Sequence, residues 1–438
     1  MFFSHIQVLN ENNINQEYIG AFVFDTTSVN TGHKNGIVVQ LERYLGRNVL
    51  QLECRHHVLE LVVGASCSFV YGPTSGPKED FFKKLIDKWS DLDLNNYTTV
   101  EAPRHQRELS CQIEESISFL LEWVNKSTKQ CLRHDYLEMV SLVILFLGGP
   151  KLEKVGVNTI KAPGAYNHAR WMSKVLYTLK IALFRHQLGE VYAPEDLENI
   201  YNLSIFISIF YVKAWLTCTD ASNAPLNDLE LMKKFLKAEE RIKTNTSSYP
   251  STFSDLIRLA REKLQNHMGY LSERLVPFAI FSDHVTTSMK KKMKDAMLRN
   301  QNEVENVPQK MPHSEKFSSK FLYDFIGNDS WKMFQLLGID HTFLNIPVKK
   351  WKDSSTYLNG KEILSNLPVV NDAAERALGI ATEKNTKTAP KSDCQRQALY
   401  KVVKGIRERL GKLATSTEVV TKKSLNSIDY SWKEKNDI

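Results

Sequence analysis

Phe24-Asp25-Thr26-Thr27 sets an acid at the end of Gly20-Ala-Phe-Val-Phe24, a short continuous apolar run. Such a run reads as a strand buried on both faces. An aspartate at the carboxyl end of a buried parallel strand stands where open α/β sheets collect ligands, and its oxygens suit a divalent cation. Asp also favours an Asx turn or an N-cap, here with Thr27 and Ser28, so both readings of Asp25 stay open. Cys54-Arg-His-His57 comes directly after a second apolar stretch. Cys54 and His57, three apart, share one face of a helical turn. As zinc ligands they are half a set, with no second pair at a usable spacing. The spacing therefore predicts a His57 ring bonded to a carboxylate or a carbonyl.

Further along, His168-Ala-Arg170-Trp171 opens a helical pattern. An arginine beside a tryptophan can hold a phosphate and stack a base, and a tryptophan at a helix start equally reads as core. Two more acids stand before arginines. Glu375 lies in Val369-Val-Asn-Asp-Ala-Ala-Glu-Arg-Ala-Leu378. It falls in the first turn of a helix capped by Asn371 or Asp372, where an acid complements the helix dipole. Glu273, in Tyr270-Leu-Ser-Glu-Arg-Leu275, reads as part of a solvated helix face.

The elements that position these residues are of two kinds. Residues 20–95 carry strand–helix–strand–helix, the unit that builds a parallel sheet. Its parts are the Gly20–Asp25 strand, a helix over Ile37–Leu45 with Gly46 just past its end, a strand over Val49–Leu52 and a long helix from Arg55 to about Val70. Gly72-Pro-Thr-Ser-Gly-Pro77 breaks the chain before a short helix carrying Phe81, Phe82, Leu85, Ile86 and Trp89. From about 105 to 300 the patterns are helical throughout, among them Tyr136–Leu147, Ile200–Trp215, Phe253–Leu264 and Leu271–Phe281. Asn300–Ser319 reads as a polar loop, Phe321–Leu344 as helix and Val348–Leu358 as irregular. The expected divisions are 1–95, 96–345, 346–412 and a polar basic tail, 413–438.

Composition excludes several classes. The 438 residues are 42% hydrophobic, 10% aromatic and 24% charged, which is ordinary globular usage and excludes a wholly disordered or collagenous chain. Lys+Arg 57 against Asp+Glu 50 gives a net charge of +7, compatible with a polyanion but too small to argue for one. The apolar runs Met139–Leu147 and Ile205–Leu216 are shorter than the roughly 18 residues of a membrane helix, so they read as buried helices and no membrane partner is expected. The opening residues have no signal-peptide pattern. Six scattered cysteines, without Cys-x-x-Cys, suit free thiols in a reducing compartment.

In order along the chain, Phe24-Asp-Thr-Thr-Ser-Val-Asn-Thr-Gly32, Cys54-Arg-His-His57, Gly72–Pro77, Arg170-Trp171 and Asn371-x-x-x-Glu375-Arg376 resemble the hAT superfamily of DNA transposases. The likeness is nearest to a metazoan hAT-like group whose copies read FDTTxxNTG, CRHH and GPxSGP, and it runs from about Gly20 to Arg407. The resemblance implies an α/β plus all-α chain: a partial RNase H-like core, formed by 1–95 and 346–412, interrupted by an α-helical insertion over 96–345. It implies that Asp25 is the second acid of the DDE triad and Glu375 the third, with Glu273 as second choice. Asp25 and Glu375 would be the Mg2+ ligands, Cys54 and His57 would support the site, and Arg170 and Trp171 would bind DNA. The family's reaction is metal-dependent DNA strand cleavage and transfer, an in-line attack at phosphorus between two cations. The carboxylates of Asp25 and Glu375 are therefore expected within roughly 10 Å of each other. DNA is the implied partner, with a possible homo-oligomer and nuclear localisation. The family's first acid lies upstream of the second, yet only Glu11 and Glu17 precede Asp25 here. The expectation is an N-terminally truncated, catalytically incomplete copy. The alternative is a non-enzymatic domesticated DNA- or protein-binding module.

Overall fold

The computed structural model describes residue 6 and residues 15–370, apart from 28–29, 31–35, 73–79, 101–106, 128–133, 151–159, 164–169, 245–250 and 301–313. It is mostly helical with a small two-stranded parallel sheet, so the mixed α/β plus all-α class holds. The chain divides into two compact units, residues 1–51 with 371–438, and Leu52–Val370.

In the first unit, β1 (Ala21–Phe24) leads to α1 (Ile37–Leu45) and then to β2 (Leu50–Glu53), whose last residues begin the second unit. Leu50 N–H donates to the Gly20 carbonyl at 2.9 Å. Helix α1 buries Ile37, Val38 and Leu41, an i, i+1, i+4 stripe, and ends where expected. Gly46 takes the left-handed conformation (φ +66°), and its N–H and that of Arg47 return to the carbonyls of Arg43 and Glu42. The Arg47 guanidinium then ties down the entry to β1, donating to the carbonyls of Gln16, Glu17 and Ile19 at 2.7–3.0 Å. Burial of β1 differs from expectation. Phe24 is buried, but Ala21, Phe22 and Val23 stay half-exposed. A two-stranded ribbon gives a strand less cover than the large parallel sheet its apolar run suggests.

The second unit is helical. Helix α2 (Arg55–Tyr71) begins at Cys54, and α3 (Asp80–Lys88), α4 (Arg107–Ser127), α5 (His134–Phe146) and α6 (Arg170–Leu183) follow. Next come α7 (Pro194–Phe206), a π turn (Ile207–Tyr211) and α8 (Val212–Thr217), then α9 (Ala224–Thr244) and α10 (Ser251–Gln265). Helix α2 lies along α10, and α10 along α9. Val58, Leu59, Val62 and Val63 face a core that also holds Phe253, Leu256, Ile257 and Ala260. The α7–π–α8 rod, Pro194–Thr217, is long and apolar enough to cross a membrane by length and composition, and 72% of its apolar window is buried inside the protein. A helix that is apolar all round belongs in a core, which is where Leu203, Phe206, Ile209 and Trp215 lie.

Three stretches depart from the expected pattern. Leu271–Phe281 is not one helix but two 3-10 turns, Gly269–Leu271 and Val276–Phe281, because Pro277 cannot continue a helix from Leu271. Phe321–Leu344, expected as helix, is a chain of 3-10 turns around the short α12 (Lys332–Leu336). Asp324 takes the Phe321 N–H, and Gly338 (φ +63°) ends α12. In place of periodic burial, Phe334, Phe343, Trp351, Tyr357 and Phe281 pack ring against ring, mostly tilted or edge to face, with Phe281 and Tyr357 stacked. Conversely, α13 (Ser355–Asn366) forms where no regular element is expected. Gly360 in its middle conceals it in the sequence; a Cβ there would come within 2.6 Å of the Phe281 ring.

Candidate functional site

Asp25 follows β1 and is half-buried. Its Oδ1 accepts from Thr27 N–H at 3.1 Å, from the Thr27 hydroxyl at 2.6 Å and from Asn30 Nδ2 at 2.7 Å. This is the Asx turn that the residue type allows, made with Thr27 and joined by Asn30; Ser28 lies outside the described residues. It fixes the direction of the carboxylate at the mouth of the strand.

The second strand also ends in an acid. Glu53 closes β2, and Cys54, Arg55, His56 and His57 carry the chain into α2. Tyr270 OH donates to the Glu53 carbonyl at 2.8 Å, and Gly269 lets that turn approach the Glu53 carboxylate, which a Cβ there would meet at 3.2 Å. Glu53 Oε2 is buried with no hydrogen bond to the described residues, and His267 Nδ1 stands 3.9 Å from it. Burial, and next the Asp228 charge, push the Glu53 carboxyl up to about 7, against the opposing pull of Arg55 and His57. Behind it lies a buried ion pair: Arg55 Nη2 and Asp228 Oδ1 are 2.6 Å apart, with side chains 5% and 4% exposed. Burial raises the Asp228 carboxyl on balance, against the opposing pull of the adjacent guanidinium. Arg55 also donates to the Ala224 carbonyl and lies 5.1 Å from the centre of the Tyr270 ring.

Cys54 is buried and caps α2, and His57 is half-buried rather than enclosed, its Nδ1 3.4 Å from Glu60 Oε2. His56 stacks on Trp215 at 3.7 Å, with the planes 8° apart. Arg55 N–H donates to the carbonyl of Val369, itself fully buried, at 3.0 Å. The stretch that leads to Asn371 therefore runs beside the Cys54–His57 turn.

Glu273 does not lie on a helix face. It sits in a turn, half-buried, where its Oε2 accepts from Asp329 N–H at 3.1 Å and its carboxylate fills the space a Cβ on Gly327 would take. It belongs to the second unit and Asp25 to the first. Glu375 lies outside the described residues, so its expected approach to Asp25 does too. Arg170 and Trp171 open α6, but their side chains also lie outside what is described. Of the lysines near 290, Lys290 is buried, its Nζ on Tyr357 OH at 2.9 Å and lowered to about 8 by burial. Lys294 donates to the Ile346 carbonyl, and Lys291 and Lys292 face solvent.

Among the described residues no three His, Cys, Asp or Glu side chains gather as metal ligands. Mg2+ needs near-octahedral oxygens, with one or two carboxylates as its protein anchors. Of the expected pair the described residues contain Asp25 alone, with Oδ1 already accepting three hydrogen bonds, and do not complete such a site. Glu53, Asp228 and His267 are absent from the sequence-derived candidates. Glu53 carried one signal, an acid closing the second strand as Asp25 closes the first. The chain matches no family model, no curated protein and no solved structure.

Proposed function

We propose that the chain is a hAT-like, transposase-derived protein, with a partial RNase H-like core interrupted by its helical unit and with DNA as its partner in the nucleus. The observation that carries this is the Arg55–Val369 hydrogen bond. It joins the Cys54-x-x-His57 turn to the stretch entering Asn371-x-x-x-Glu375-Arg376, two motifs from opposite ends of the helical unit. Leu52–Val370 also interrupts the sequence of the other unit, as an insertion would. Asp25 and Glu375 are the acids, and Mg2+ the ion, that the family's strand cleavage and transfer would use. No aspartate precedes Asp25 in these 438 residues, so the family's first acid is not among them, and the chain alone is proposed not to cleave DNA. Arg170 and Trp171 are the proposed DNA contacts, and self-association is part of the proposal.

The second reading, a non-enzymatic DNA- or protein-binding module, is favoured by the Asp25 turn, in which the acid already has a structural task. Fluorescence anisotropy with duplex and hairpin-ended DNA across a salt series, with a strand-transfer assay in Mg2+, separates the two. Weak, salt-sensitive binding without sequence preference and without cleavage is expected. Absence of binding even at low salt moves the protein to the interaction module. Tight binding to one sequence that persists at high salt overturns the account of its DNA contacts.

A further inference from the structure

Phe321 is 43% exposed although it stands beside a well-packed turn. The turn itself explains why the ring faces outward. Leu322 and Phe325 are buried beneath it, while Asp324 accepts from Phe321 N–H at 2.8 Å and returns its own N–H to the Phe321 carbonyl at 3.0 Å. With 322 and 325 anchored inward, 321 and 323 are left on the outer side. Their rings stack with centres 5.4 Å apart and planes 9° from parallel. Cations from two helices converge on this pair. Lys233 of α9 puts Nζ 4.7 Å from the Phe321 centre, and Lys292 of α11 (Thr287–Asn300) puts Nζ 5.9 Å from Phe321 and 5.1 Å from Tyr323.

Stability alone does not account for this arrangement. A ring left in water returns little hydrophobic energy, and exposed cation–π contacts add only about 0.5–1 kcal/mol. The nearby acids are Asp324, held on the Phe321 N–H, and Glu230; both act on Lys233. Lys291 and Lys292 are exposed, and Lys320 directly precedes the ring. A stacked aromatic pair edged by lysines, with the Phe321 ring exposed and Tyr323 half-buried beside it, matches two features of an unpaired nucleotide: a base with a π-face and a phosphate with a diffuse negative charge. An acidic polypeptide would engage the lysines but has no use for the rings. Duplex DNA, its bases already stacked, would likewise find only the charges.

We propose that Phe321 and Tyr323, flanked by Lys233 and Lys292, form a contact for single-stranded nucleic acid, one base stacking on the rings and its neighbouring phosphates meeting the lysines. This patch stands on its own geometry and needs neither Asp25 nor Glu375.

The test is anisotropy of a fluorescein-labelled oligothymidylate titrated with the full chain, beside a duplex of the same length. Phe321→Ala is expected to weaken single-strand binding about tenfold and leave duplex binding unchanged. Lys292→Ala and Lys233→Ala are expected to weaken both and to flatten the salt dependence by about one counterion each. Phe321→Trp should restore or tighten the single-strand complex. Thermal melts show that each variant is folded. The proposal is overturned if wild-type chain does not bind the oligonucleotide at low salt, or if folded Phe321→Ala binds it as tightly as wild type. It is also overturned if polyglutamate competes as well as the single strand. Loss of duplex binding alone bears on the transposase-derived reading and leaves this patch standing.

Discussion

Two strands of this protein end in an acid, and the two acids live in opposite surroundings. Asp25 is held by neighbours two and five residues away: Thr27 and Asn30 supply three donors to one oxygen. Glu53 is enclosed by residues remote in sequence, Asp228, His267 and Tyr270, and its Oε2 has no donor among the described residues. The same chemical group in the same position of a strand thus accepts three local hydrogen bonds on one oxygen in one case and is a carboxyl that holds its proton to about 7 in the other. Local sequence decides the first; long-range packing decides the second.

The largest expected effect tests the Glu53 side of that contrast. Arg55→Ala leaves Asp228 buried without its partner, and unfolding in urea should show a loss of about 3–5 kcal/mol. Replacing both by apolar residues of similar volume should recover most of that loss. A double variant as unstable as the single one would mean that Arg55 acts mainly through its side-chain bond to the Ala224 carbonyl and its contact with the Tyr270 ring.

Glu53 itself gives the next effect. Its folded-state value of about 7 lies above the unfolded value near 4.3, so the folded state binds the extra proton between the two. Its contribution is present in full below the unfolded value and is lost as pH rises through 7, a fall of order 3 kcal/mol. His267 works in the other direction: burial, with His57 and Lys263, lowers it, so its stabilising term is lost as pH falls below its unfolded value. Glu53→Gln should abolish the fall between about pH 4.5 and 7 and leave the His267 slope. An unchanged pH profile in that variant would remove the contrast between the two strand ends.

Asp25 should give the smallest effect. Asp25→Asn keeps an acceptor for Thr27 and Asn30 and should cost less than 0.5 kcal/mol, whereas Asp25→Ala should cost about 1 kcal/mol, the worth of a lost cap or turn acceptor. A loss of several kcal/mol from Asp25→Asn would show that its charge, and not only its hydrogen bonds, is needed.

How far the sequence revealed all this follows the same division between local and remote causes. The Ile37–Leu45 helix with Gly46 beyond it, the two strands and the long helix from Arg55 are set by neighbouring residues and lie close to where the pattern puts them. The aromatic-packed region between Phe317 and Tyr357 is not legible, because its burial follows ring contacts instead of a helical or strand period. Asp25 and Cys54–His57 stand out by type and spacing. Asp228 and His267 do not, since an acid and a histidine inside helical patterns gain their setting only when α9 and the Gly269 turn pack against β2. Glu273 reads as solvated because its partner, the Asp329 backbone, is 56 residues away.

The π turn at Ile207–Tyr211 has a consequence for rotation. Lys234 Nζ donates to the Ile209 carbonyl at 2.7 Å inside this turn, and burial lowers that amine to about 8. A π turn admits one residue more than an α turn, so it acts as a phase shifter along the Pro194–Thr217 rod. Side chains after it are rotated by about 100° from where an unbroken α-helix would aim them. Deleting one residue from 207–211 would remove the extra residue and leave Trp215 on the His56 ring, whereas regularising the turn to an α-helix with every residue kept would swing Trp215 off it. The stacked pair would be lost through a change made a full turn away, with every residue of the stack still present.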